Sequence, residues 1–167
     1  LSMIETAVDL SGPQVRAEIL REILDMGRDM LRYPIELLPH AEAAVRALAP
    51  DHRLVLITKG DLLDQERKLA QSGLGELFDQ VEIVSDKRAE IYARIFALLP
   101  GGAEAALMVG NSLKSDVWPA LQAGAWGVHV PHELEWALEA APVPQDAPRF
   151  RQIADLSALP GLVAEIG

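Results

Sequence analysis

The sequence predicts an α/β domain built on a parallel sheet with helices on both faces. Three observations lead there. From residue 53 onward, short apolar runs rich in β-formers alternate with stretches of helical period. The runs, such as Arg53-Leu54-Val55-Leu56-Ile57-Thr58, are apolar at nearly every position, which fits strands buried on both faces. Several runs stop at a polar loop that leads into a helix, as "LMVGNSLKSD" (107–116) does.

The elements follow in order. Residues 1–33 read as helical, with Val15, Ile19, Ile23, Met26 and Met30 at helical spacing and Pro13 suited to a first turn. Residues 34–38 connect. Pro39 opens a second helix that runs to about Ala49. The strand at 53–58 is followed by a helix, "LLDQERKLAQSG", ending at Gly73. Residues 81–84 form a strand and 88–99 a helix stopped by Pro100-Gly101-Gly102. "AALMVG" (105–110) is a strand, 116–123 a helix closed by Gly124, and 127–130 a strand ended by Pro131. Residues 131–149 hold four prolines and read mostly as loop, with one helical turn around Trp136. A weak strand at 150–153 and a helix to Ile166 complete the chain.

Composition narrows the function. Half of the 167 residues are apolar, so the chain has material for a folded core. There is no cysteine, which excludes disulfides and thiolate chemistry. Fifteen basic against twenty-five acidic residues give a formal charge of −10, which disfavours nucleic acid and anionic membranes as partners. No apolar run reaches membrane-spanning length and no signal peptide is visible, so a cytoplasmic protein is expected. The chain begins with Leu1, as a processed or truncated piece would. Oligomeric state is not legible.

In open parallel sheets, ligands bind beyond the carboxyl ends of the strands. That rule selects the loops that begin at Thr58-Lys59-Gly60-Asp61, at Ser85-Asp86-Lys87 and at Gly110-Asn111 through Asp116. Together they offer a hydroxyl with backbone N–H groups, a lysine, and a carboxylate with an amide. Hydroxyl and N–H donors grip phosphate oxygens, lysine supplies a point charge, and hard oxygen ligands suit Mg²⁺. Each residue has a plainer reading too. Thr58 would serve as a β-branched strand end, Lys87 as a solvated lysine, and Asp61 as a favourable charge at a helix start. Asp116 would serve as a first-turn acid, with Ser115 as the cap and Pro119 in the first turn. Lys114 reads as a surface lysine. His40, His52, His129 and His132 lack zinc-type spacing and read as structural. Trp118, Trp126 and Trp136 read as packing residues, with Trp136 a lesser candidate for a substrate entrance.

In this order and spacing the three loops resemble motifs two, three and four of the haloacid dehalogenase superfamily of hydrolases. "LVLITKGD" is similar to motif two, "VSDK" to motif three and "MVGNSLKSDVWPALQAG" to motif four. The resemblance implies a Rossmann-like core over 39–167 and part of a helical cap over 1–38. It implies a Mg²⁺-dependent phosphatase of a small phosphorylated metabolite, working through an aspartyl-phosphate intermediate. Thr58 and Lys87 would be its catalytic residues. Thr58, Lys59, Gly60, Lys87 and Asn111 would bind phosphate, and Asp116 and Asn111 the metal.

The chain departs from the family pattern twice. The family's first motif is a strand ending in Asp-x-Asp, and no such triplet occurs here. Asp9-Leu10-Ser11 follows Ala7-Val8 but lies within a helical pattern and lacks the second acid. In the family that strand is central, between those of motifs two and four. The resemblance therefore implies a nucleophile and a central strand outside these 167 residues, and no activity from these residues alone. Asn111 stands where many members have a second acid. Alternatives are a 2-haloacid dehalogenase and a non-catalytic phosphate- or protein-binding module.

Overall fold

Helical spacing at the N-terminus produces two helices, α1 (Ser2–Ser11) and α2 (Ala17–Arg32). The computed structural model describes residues 2–12, 15–132 and 141–167, and the chain separates into two compact units, Leu1–Glu36 and Leu37–Gly167. In the first unit, Val15, Ile19 and Ile23 are half-buried, but Met26 and Met30 are 55 and 64 % exposed. Two helices alone cover only a narrow apolar stripe, so the correct period does not lead to a buried face in α2. Asp9 lies inside α1 and not at the end of a strand. Pro13 and Trp136 lie outside the described residues.

The second unit runs α3 (Ala41–Leu48), β1 (Val55–Lys59), α4 (Leu62–Ser72), β2 (Gln80–Val84), α5 (Ala89–Phe96), β3 (Leu107–Gly110), α6 (Trp118–Gln122), β4 (Trp126–His129), β5 (Phe150–Gln152) and α7 (Leu159–Ile166). All strand pairs among the described residues are parallel. β1 pairs with β2, and β3, β4 and β5 form a second ladder in that order. Among the described residues no ladder joins β1 to β3, as the strand order implied by the resemblance requires. Helices α5 and α6 pack together, as do α3 and α7, and so flank the strands in an α/β arrangement.

The two ladders share one core. Tyr92, Ile95 and Phe96 on α5 are buried and cluster with Ile57 of β1, Val84 of β2, and Ala106, Ala120 and Ala125. Half-buried Met108 of β3 packs on the same cluster, so α5 ties the separate ladders together. Burying one such large apolar side chain contributes roughly 1.5–3 kcal/mol.

Several element limits differ from those read in sequence. α5 ends at Phe96, because Leu98 and Leu99 turn back to the carbonyls of Ile95 and Phe96. β3 begins at Leu107, because Gly102–Ala105 is a tight helical turn. α3 begins after His40, which takes a left-handed conformation at φ 65°. The larger correction concerns burial. Of β1 only Ile57 is buried, and β3 is half-buried throughout. Apolar composition showed that these strands suit two covered faces, but it does not report what lies along their edges.

Candidate active site

The loop after β3 is the most tightly built part of the site. Ser112 caps the following turn, its Oγ accepting from the Ser115 N–H at 2.9 Å. The cap is therefore Ser112, not Ser115. Residues Leu113–Val117 then form a wide π-helical turn, in which the Ser112 carbonyl accepts from both Asp116 N and Val117 N. Such turns recur at functional sites because they re-aim a side chain. Here the turn drives Asp116 back towards Gly110. A Cβ on Gly110 would lie 2.2 Å from Asp116 Oδ2, so that carboxylate occupies space which only glycine leaves open.

Asp116 is only 4 % exposed. Its Oδ2 accepts from Ser112 N at 3.1 Å, and its Oδ1 from Lys87 Nζ at 2.7 Å. The Lys87 and Asp116 side chains are 15 and 6 % exposed, so this pair is shielded from solvent. An exposed ion pair is worth little, whereas a shielded one strongly penalises loss of either partner. The structure thus joins two of the residues singled out in sequence, the lysine after β2 and the acid after β3. Tyr92 completes this wall. Its hydroxyl donates to the Ser115 carbonyl at 3.2 Å, and burial, reinforced by the Asp116 charge, holds its phenol well above the ordinary range.

The loop after β1 is more open. Thr58 is half-buried and its Oγ1 donates to Gln65 Oε1 at 2.7 Å. Lys59 and Gly60 are exposed, and Asp61 caps α4 by accepting from Asp64 N at 3.1 Å. Asp86, in the loop after β2, is held below the usual carboxylate range by Arg88, then by the Lys87 N–H, with a smaller pull from Lys59. The ends of β1 and β2 therefore face a common region.

Asn111 behaves differently from the other candidates. It is exposed, and its backbone carbonyl, rather than its amide, has the assigned role: it lies 3.2 Å from His129 Nε2. His129 is buried and its Nδ1 lies 3.3 Å from Gln152 Oε1. Reading His129 as structural missed this link to the loop. Ser112, Tyr92 and Gln65 were missed too. Ser112 carried a legible signal, a serine three residues before the N–H it caps; Tyr92 meets the loop only through the fold. Trp118 donates to the Pro142 carbonyl and Trp126 stacks under Arg151, which are packing roles. His132 and Lys114 are exposed.

A family profile described as haloacid dehalogenase-like hydrolase matches residues 6–124. The chain belongs to the haloacid dehalogenase-like hydrolases. A haloacid dehalogenase-like family hydrolase from Xanthomonas campestris is 42 % identical over 99 % of this chain and 70 % of its own, with a TM-score of 0.87. A haloacid dehalogenase-type hydrolase, YfnB from Bacillus subtilis, solved bound to magnesium, is 22 % identical over 77 % of this chain and 56 % of its own, with a TM-score of 0.65. A phosphatase of the same superfamily from Thermococcus onnurineus is 23 % identical over 93 % of this chain and 68 % of its own, with a TM-score of 0.59. The last two show the shared fold. No curated protein matches the chain.

Within this family of hydrolases, Mg²⁺ is the metal to test against the residues present. Mg²⁺ keeps several waters and needs only one or two carboxylates beside substrate phosphate. Asp116 is one buried carboxylate at the right strand end, and its Oδ1 retains a lone pair beyond the Lys87 bond. Among the described residues no group of three or more His, Cys, Asp or Glu could hold a metal ion by itself. Asp116 would supply at most one carboxylate to a Mg²⁺ shell, the remaining positions falling to substrate and water. Among the described residues no helix is long and apolar enough to cross a membrane.

Proposed function

We propose that this hydrolase is a Mg²⁺-dependent phosphatase of a small phosphorylated metabolite, acting through an aspartyl-phosphate on an aspartate that these 167 residues do not supply. One observation carries the reading: the 2.7 Å pairing of Lys87 with Asp116 at the carboxyl ends of the parallel strands. It sets a cation and a potential metal carboxylate side by side beyond strand ends that also carry Thr58. In this reading Thr58, Lys59 and Gly60 hold phosphoryl oxygens, and Lys87 offsets the negative charge that builds up as phosphorus is attacked. Asp116, with Asn111 beside it, would hold Mg²⁺, which supplies charge neutralisation between two approaching anions. Residues 1–38 would serve as part of a cap that selects substrate. A cytoplasmic protein, with neither nucleic acid nor membrane as partner, fits the charge of −10.

The test is hydrolysis of an aryl phosphate by the native protein as Mg²⁺ is titrated. Saturable Mg²⁺ dependence that disappears in Asp116→Ala supports the reading. A Mg²⁺ dependence unchanged in Asp116→Ala overturns it.

One observation favours a metal-free alternative, a 2-haloacid dehalogenase or a non-catalytic binding module. Both oxygens of Asp116 already have partners, Lys87 and the Ser112 N–H. Halide release from a 2-haloacid without added metal would select the dehalogenase.

A further inference from the structure

Gln65 lies in the first turn of α4, its N–H bonded to the Asp61 carbonyl at 3.0 Å. Side chains on a helix lean towards its N-terminus. From this position Gln65 therefore reaches back over the loop that precedes its own helix. Two observations show where it arrives. Its Oε1 accepts from Thr58 Oγ1 at 2.7 Å. Its Nε2 would lie 2.8 Å from any Cβ placed on Gly60, whose φ is 151°. The amide thus spans Thr58 to Gly60, the stretch read above as the phosphate cradle.

Proton accounting makes this position consequential. A threonine hydroxyl has one proton to donate. While Thr58 donates to Gln65 Oε1, its oxygen offers only lone pairs to an incoming anion. Turning the amide over presents a Gln65 N–H to Thr58 Oγ1 instead. The same contact is kept, and the Thr58 proton is released towards a phosphoryl oxygen. Glutamine can do both, because its two ends are a donor and an acceptor of nearly equal shape.

We propose that Gln65 is a positioning residue for anion binding: its amide turns over when a phosphoryl group enters and so sets the Thr58 hydroxyl as a donor. The proposal rests on the phosphate reading of Thr58 and adds a residue to it. Gln65→Glu removes the N–H and adds a charge, so Thr58 must donate to residue 65. Gln65→Leu keeps the bulk but leaves the hydroxyl without a partner.

The experiment is calorimetric titration of the native protein, in Mg²⁺, with inorganic phosphate. Gln65→Leu should weaken phosphate about threefold and Gln65→Glu tenfold or more, the scale of one neutral and one charge-assisted hydrogen bond. Thr58→Val should weaken phosphate about tenfold, and Gln65→Leu should then add nothing, because it acts only through that hydroxyl. A purely structural role for Gln65 would give additive losses and lowered melting temperatures instead. Additivity, or wild-type phosphate affinity in Gln65→Glu, overturns the proposal while leaving Thr58 as a ligand. Unchanged affinity in Thr58→Val overturns both the phosphate reading and this one.

Discussion

The loops after β3 and after β1 perform adjacent parts of one proposed site, yet they are built in opposite ways. The β3 loop is closed. Ser112, Leu113, Asp116 and Val117 are all buried, and Asp116 is held by a backbone N–H and by Lys87. The β1 loop is open. Lys59, Gly60, Asp61, Leu62 and Leu63 are exposed, and Thr58 rests on one glutamine. The difference teaches where preorganisation resides in this fold. In the proposed reading, the carboxylate that must keep its geometry is fixed by the fold itself, whereas the donors proposed to meet a variable ligand are left on a surface that can adjust.

Removing Asp116 breaks the comparison most severely. Asp116→Ala should lower Mg²⁺-dependent turnover by about 100-fold or more. It should also destabilise the protein by about 3 kcal/mol, because Lys87 is left shielded and unpaired. Initial rates against Mg²⁺ and a urea titration measure the two effects. Gly110→Ala tests the same loop by crowding, since its Cβ would strike Asp116. A loss of about 2 kcal/mol in urea is expected, with weakened Mg²⁺ dependence. Wild-type stability would show that the loop yields and is not preorganised.

Asn111→Asp sharpens the comparison in the other direction. A second carboxylate should tighten Mg²⁺ on the order of tenfold and weaken substrate binding by like-charge repulsion. Activation constants and KM, taken from one series of rates, separate the two. Tyr92→Phe is a smaller probe of the closed loop. Losing the bond to Ser115 should cost about 1 kcal/mol. It should also change the alkaline limit. Because the Tyr92 phenol is raised in the folded state, the unfolded chain releases that proton first, and stability falls from about pH 10 upward. Tyr92→Phe should flatten that fall in urea midpoints measured across alkaline pH. Asp61→Ala should have the smallest effect, about 0.5 kcal/mol from the lost cap of α4, with Mg²⁺ dependence unchanged. A shift in Mg²⁺ dependence there would show that the open loop reaches the metal region.

Much of this is legible in the sequence. Alternation of apolar runs with helical periods specified a parallel α/β domain, because strand and helix bury side chains with different periods and parallel strands need helical crossovers. The rule that ligands gather at the carboxyl ends of such strands then selected the three loops, and with them Thr58, Lys87 and Asp116. Tertiary structure decided the rest. It placed Lys87 against Asp116 across 29 positions of sequence, left Asn111 exposed while His129 met its backbone carbonyl, and drew Tyr92 and Gln65 to the loops. It also left β1 and β3 half-buried and in separate ladders. Local propensity and period act over a few residues and are written in the chain. A contact between loops depends on how whole strands and helices stack, and that is settled only when the core around Tyr92, Ile95 and Phe96 closes.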